Sequence, residues 1–255
     1  MKKYLLIIFV FIASFYAEII WESADRVKPL LNTNITELPN ELFIYSFQLT
    51  NEFGAEQVMH MINIKTAYDG IEAYGSTISK DNFFDGWFFE SGIIWAGDSK
   101  DKFLQAGESS ECGYFISNRI PGIIKYEARG WFELPVLEEE PLDEEIPEYY
   151  NRPYTGYTIA PDVNPETLTI DVLIRNLDSL LTKTAEVGWL TSSYNGLSAK
   201  IKSSEKHYLS GRMTQAKNAL ENFSSAILKL RGGSLSENGY LVLSLNTDYI
   251  LSKLQ

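Results

Sequence analysis

Four carboxylates, Glu90, Asp98, Glu108 and Glu111, fall among aromatic and β-branched runs in the first half of the chain. Glycoside cleavage needs two acids flanking one bond, the first giving a proton and the second attacking or activating water. Residues 18–137 carry eighteen acids, however, so some pair lies close by chance, and no residue is assigned a catalytic role. The flat side chains are the stronger lead. Trp87, Phe88, Phe89, Trp95, Tyr114, Tyr126 and Trp131 crowd the same region. Exposed rings stack on the C–H faces of sugars, whereas a sandwich core needs large residues on its inner face. Neighbours in a strand point to opposite faces, so one core cannot bury all of Trp87-Phe88-Phe89. Trp87, Phe88 and Trp95 are the candidate ligand contacts.

Other chemistry is thinner. Asp81, Asp85, Asp98 and Asp101 sit in or near turn signals and could offer oxygens to calcium, but no calcium-loop pattern is present. His60 and His207 fall in different parts of the chain and do not argue a metal site. Cys112, the one cysteine, lies in a strand pattern and is expected to be buried rather than reactive. The chain has no phosphate-binding Gly-Lys-Ser loop and no G-x-S-x-G.

The elements that position these residues divide the chain. Phe43, Tyr45, Phe47 and Leu49 alternate with Ile44, Ser46 and Gln48, a period-two strand. Val58 to Ile64 predicts a second strand, and short runs follow at 87–89, 93–95, 103–105, 113–117 and 123–131. Asp69-Gly70, Asp85-Gly86 and Pro121-Gly122 punctuate them. Many short strands with turns between them predict an antiparallel sandwich over 18–137, with residues 18–40 as a lead-in. Residues 138–162 hold eight acids, one base and four prolines, which predicts a domain linker. Beyond it the period turns helical. Asn164-Pro165-Glu166 opens a helix running to Gly188, a second covers about 196–208, and Met213, Ala216, Leu220, Phe223, Ile227 and Leu230 stripe a third. Gly232-Gly233 ends that helix, and Ser234 with Glu237 forms a capping box for a fourth. Residues 163–255 therefore predict a small four-helix bundle.

Lys2 and Lys3 precede a largely apolar run, Tyr4 to Tyr16, with Ala17 after it. This is the pattern of a cleaved signal peptide over residues 1–17, and the run is too short for an ordinary membrane span of about 20 residues. The expected location is secreted, extracellular or periplasmic, with no membrane span once the signal is cut. A single cysteine permits no internal disulfide. The net charge of −12 repels polyanions, so nucleic acid is excluded as a partner.

Phe43 to Ile64, Gly107-Glu-Ser, Gly113-Tyr-Phe-Ile-Ser117 and Pro121-Gly-Ile-Ile-Lys-Tyr126 resemble the β-domain of uncharacterised secreted bacterial proteins. Gly188-Trp189-Leu190, Gly196-Leu197 and Leu235-Ser-Glu-Asn-Gly-Tyr240 to Ile250 resemble the FIMAH-like helical modules attached to such proteins. The resemblance implies a secreted protein, transfers no catalytic residue, and does not account for the acidic linker or for Cys112.

The expectation is an α+β protein, a β-sandwich followed by a helical module, with a non-enzymatic binding or structural role. Its partners would be glycans or the cell envelope, contacted through the β-domain. A secreted hydrolase and a module for an extracellular protein partner are the alternatives.

Overall fold

The computed structural model describes residues 26–66, 71–75, 85–89, 92–97, 99–131 and 153–254, with the backbone alone at 72–75 and 85–89. The signal segment 1–17 and the acidic residues 138–148 lie outside the described residues. Among the described residues, nine strands come first: β1 (Pro29–Leu38), β2 (Leu42–Asn51), β3 (Met59–Ile64), β4 (Ile71–Gly75), β5 (Asp85–Phe89), β6 (Gly92–Ala96), β7 (Ser109–Ser117), β8 (Ile120–Gly130) and β9 (Tyr154–Val163). They form two antiparallel sheets, β1-β2-β7-β4 and β5-β6-β3-β8-β9. Four helices follow: α1 (Ile170–Glu186), α2 (Asn195–Leu209), α3 (Met213–Leu230) and α4 (Glu237–Lys253). The chain is thus an antiparallel sandwich followed by a four-helix bundle.

Alternation builds the sandwich. Phe43, Tyr45, Phe47 and Leu49 of β2 are all buried, as are Ile62 and Ile64 of β3 and Ile93 and Trp95 of β6. Burying each such side chain contributes about 1.5–3 kcal/mol. Phe47, Trp95 and Phe115 meet at the centre, with ring centroids 5.2 to 5.7 Å apart. Buried hydroxyls are satisfied across the layers. Tyr45 donates to the Arg119 carbonyl at 2.7 Å, Tyr126 to the Pro29 carbonyl at 3.1 Å, and Thr33 and Thr158 share a 2.7 Å bond between β1 and β9. Burial raises the ionisation of both tyrosines far above the ordinary range.

Two sequence expectations need correction. Residues 154–162, assigned to the linker, belong to β9, which pairs with β8 from Ala128↔Tyr154 to Ile120↔Val163 and buries Thr158, Ile159 and Ala160. Proline is tolerated there because β9 is the edge of its sheet and Pro161 stands beside a register shift. Residues 29–38, assigned to a lead-in, form edge strand β1. Leu31 and Thr33 face inward between exposed Asn32 and Asn34. At the helical start, Pro165–Thr167 is a single 3-10 turn and α1 begins only at Ile170.

The helical module docks on the start of β8 and the end of β9. Leu173, Ile174, Leu177 and Leu181 of α1, and Val242, Leu243 and Ile250 of α4, join one core with the sandwich. Gly188-Trp189-Leu190 and Leu235-Ser236 clasp the two helical hairpins. Leu190 bridges Leu235, and the Ser236 amide donates to the Trp189 carbonyl at 2.8 Å. Ser236, not Ser234, caps α4: its Oγ accepts from the Gly239 amide at 3.1 Å. No helix among the described residues is long and apolar enough to cross a membrane.

Candidate functional site

Two neighbouring rows on the outward face of β1, β2 and β7 are polar. Register aligns Asn32, Gln48 and Glu111 in one row and Asn34, Ser46 and Tyr114 in the next. Asn32, Asn34, Gln48 and Glu111 are exposed, while Ser46 and Tyr114 are half-buried. A register shift at Phe47/Gln48 leaves Cys112 as an extra residue between the partners Gly113 and Glu111. Such a bulge bends its strand, and here it accompanies a groove of about 380 Å³ lined by Asn32, Asn34, Ser46, Gln48 and Glu111, with Thr33, Phe47 and Gly113 at its floor.

The chemistry of this groove is uniform. Three amides and a hydroxyl supply both donors and acceptors without charge. Glu111 is the one carboxylate among the lining residues. Glu108 is used elsewhere: its Oε2 accepts from the Gln105 amide at 2.8 Å in the turn before β7. Glu90 and Asp98 lie outside the described residues. Cys112 points inward, and desolvation pushes its thiol far above the ordinary range, so it is not a nucleophile in this fold.

Trp95, taken from the sequence as a ligand contact, is a core residue instead. It is fully buried against Phe47 and Phe115, because its position in β6 faces the opposite sheet. Trp87 and Phe88 fall in edge strand β5, whose register pairs position 87 with Ile94 and position 88 with Ile93. Directly opposed residues share a face. Position 88 therefore lies in the row of buried Ile93, and position 87 in the row of half-buried Ile94.

The other candidates scatter. Among the calcium candidates, Asp101 lies in the exposed turn Lys100–Lys102 and Asp85 opens β5, while Asp81 and Asp98 lie outside the described residues. Among the described residues, no group of three His, Cys, Asp or Glu side chains is placed to hold a metal ion. His60 is half-buried in β3. Its ring lies 5.7 Å from Phe103 and 5.6 Å from Trp131, and desolvation, with Arg129 nearby, lowers its pKa to about 4. It is neutral at physiological pH.

A second cleft, about 200 Å³, lies between the two parts and is lined by Gly122, Asp162, Asn176, Ser179, Lys183 and Asn246 among others. Its polar groups are largely engaged in docking. Lys183 donates to the Ile123 carbonyl at 2.6 Å and Asn246 to the Pro121 carbonyl at 2.8 Å.

The sequence reading missed the groove residues Asn32, Asn34, Ser46 and Gln48. The signal was present in part, since Ser46 and Gln48 are the solvent half of the β2 alternation. The polar stretch Asn32–Thr36 hid their partner strand.

Residues 174–252 match the FIMAH domain, which spans from within α1 to the last turn of α4 and includes the Trp189–Leu190 and Leu235–Ser236 clasp. An uncharacterised protein from Nocardia farcinica, described as having an immunoglobulin-like fold, is similar over 49% of this chain and 94% of its own, at 10% identity and a TM-score of 0.31. No curated protein matches the chain.

Proposed function

We propose that the chain is a non-enzymatic extracellular protein that holds a neutral glycan in the groove on the outer face of β1, β2 and β7. The observation that carries this reading is the groove's lining: three amides and a hydroxyl beside a single carboxylate. Sugar hydroxyls are both donors and acceptors, so paired amides serve them where charged groups would not. Glycoside cleavage needs a second acid across the bond, and Glu111 has no such partner among the residues lining the groove. The chain's acidity disfavours anionic polymers. The apolar run in residues 4–16 supports export to where such glycans occur.

The test is affinity electrophoresis of the full chain against neutral polysaccharides and isolated cell envelope, with release of reducing sugar measured in parallel. Saturable retardation without sugar release is expected. The double variant Asn32→Ala/Gln48→Ala should bind roughly thirtyfold more weakly, since each lost hydrogen bond contributes about 1 kcal/mol. No retardation of the folded protein by any polysaccharide rejects the glycan reading. Sugar release that Glu111→Gln abolishes makes the groove an active site instead.

A further inference from the structure

The pole of the sandwich away from the helices carries apolar exposure that the groove does not use. Phe53 is 85% exposed, Leu30 41% and Trp131 36%. All three sit at the end where β2 leaves its sheet, β3 enters and β8 finishes. Trp131 is held on both sides of its backbone. The Trp131 amide donates to the Val58 carbonyl at 2.8 Å, and its own carbonyl accepts from Gln57 Nε2 at 3.1 Å. Its ring rests on Phe103, centroids 5.0 Å apart, and meets His60 edge-on at 5.6 Å. Phe53 lies over Gly107. That glycine has φ +88, a conformation that favours glycine, and a Cβ there would come within 2.6 Å of the Phe53 ring.

A ring packed like that of Trp131 loses little conformational freedom when it binds, which is the condition for useful stacking. Two of the ionisable groups at this pole present little free charge. His60 beneath Trp131 is uncharged, and the Arg26 guanidinium at this pole is paired with Glu56 at 2.8 Å. The groove leads here. Its row Asn32–Gln48–Glu111 is followed by Leu30–Thr50–Ser109, with Thr50 and Ser109 joined at 2.7 Å, and Phe53 stands three residues beyond Thr50.

We infer that Phe53 and Trp131 form an aromatic subsite for the glycan, stacking on pyranose rings that extend past the groove at the pole opposite the helical module. The inference rests on the glycan reading of the groove and names where its chain continues. Four proteins test it by affinity electrophoresis on neutral polysaccharides of increasing length: the full chain, Asn32→Ala/Gln48→Ala, Phe53→Ala and Phe53→Ala/Trp131→Ala. Phe53→Ala is at a site so exposed that folding is unaffected, and it keeps the test valid if the Trp131 change lowers stability. Phe53→Ala is expected to weaken binding of long chains about threefold and the double aromatic variant roughly tenfold, with short oligosaccharides unaffected. Wild-type affinity in both aromatic variants, with weakened binding in the groove variant, overturns the subsite and leaves the groove standing. No glycan binding by the full chain overturns both. Co-sedimentation with phosphatidylcholine vesicles that the aromatic changes abolish, at unchanged glycan affinity, makes the pole a lipid contact and overturns the inference.

Discussion

Asn246 on α4 donates its Nδ2 to the carbonyl oxygen of Pro121 in β8, 2.8 Å away and 125 residues apart in sequence. The same amide donates to the Val242 carbonyl of its own helix, also at 2.8 Å. Pro121 stands at the register shift between β8 and β9, where regular pairing is interrupted. Lys183 of α1 reaches the Ile123 carbonyl at 2.6 Å. Two helices thus supply the donors to two carbonyls of one strand, and the helical module is fastened in part to strand backbone.

Asn246→Ala should therefore destabilise the whole chain, because it leaves a buried carbonyl without a donor. The expected cost is about 1–3 kcal/mol. Lys253→Ala removes an exposed contact to Glu41 at the same junction and should cost below about 1 kcal/mol. Urea unfolding followed by tryptophan fluorescence and by helical circular dichroism decides the matter. Equal midpoints for wild type and Asn246→Ala would mean that the carbonyl finds another partner.

Trp95→Ala should cost about 3–5 kcal/mol, the range for large aromatic truncations in a packed core. It removes the ring that Phe47 and Phe115 both pack against. Any fraction that stays folded should bind glycan as well as wild type, since the residue is fully buried. A folded Trp95→Ala protein with a normal melting temperature and no binding would return Trp95 to the surface role that the sequence suggests.

Local patterns were legible where they were strongly periodic. The stripe Met213–Leu230 gives α3 at the expected bounds, and Ala216, Leu220, Phe223 and Ile227 are buried as spaced. The β2 alternation was equally plain. The edge strands β1 and β9 were not. In β1 the inward residues Leu31 and Thr33 are separated by asparagines, and Thr33 is polar because it meets Thr158 across the sheets. Pro153 just before β9, Pro161 within it and a nearby acidic run imitate a linker, while an edge position removes the penalty that proline would carry in a central strand.

The site was less legible than the fold. Trp95 and position 87 are equivalent in composition, and only the register of β5 and β6 separates a core row from an outer row. The groove depends on pairing β1 with β2 and on the extra residue Cys112, both long-range facts with no local signature. Ser234 with Glu237 fits a capping box, yet Ser236 takes the cap. Glu237 is drawn instead to Arg231 at 2.8 Å, and the Ser234 carbonyl to the Thr191 amide.

Gly92→Ala should be among the most damaging single changes. Gly92 has φ +134, and a Cβ there would lie 2.0 Å from the Ile64 carbonyl oxygen. The obstacle is backbone in the adjoining strand, so it cannot rotate aside. A cost of about 2–4 kcal/mol is expected, combining strain at a conformation few side chains adopt with displacement of the β3–β6 pairing. Gly196→Ala is the control, since nothing lies within 4 Å of its added Cβ. Thermal unfolding of the two variants should separate them widely, and similar melting temperatures would show that β6 can shift at low cost.

The neutral His60 gives the fold an acid sensitivity that can be isolated. In the unfolded chain a histidine titrates near about 6.5. In the fold, burial and Arg129 lower the value to about 4. Between those limits the unfolded chain takes up a proton that the folded chain refuses, so acid favours unfolding. The stabilisation is fully present above about pH 6.5 and declines as pH falls towards 4, by at most about 3 kcal/mol. Carboxylates held below their ordinary range by cationic partners, such as Glu41 beside Lys253, also lose stability in acid and must be subtracted. His60→Phe does this, because it keeps a ring between Phe103 and Trp131 and removes the titrating group. Urea midpoints at pH 7.0 and 4.5 should fall less for His60→Phe than for wild type. Equal falls would mean that the imidazole reaches water when protonated, and the cluster under Trp131 would then be looser than its packing implies.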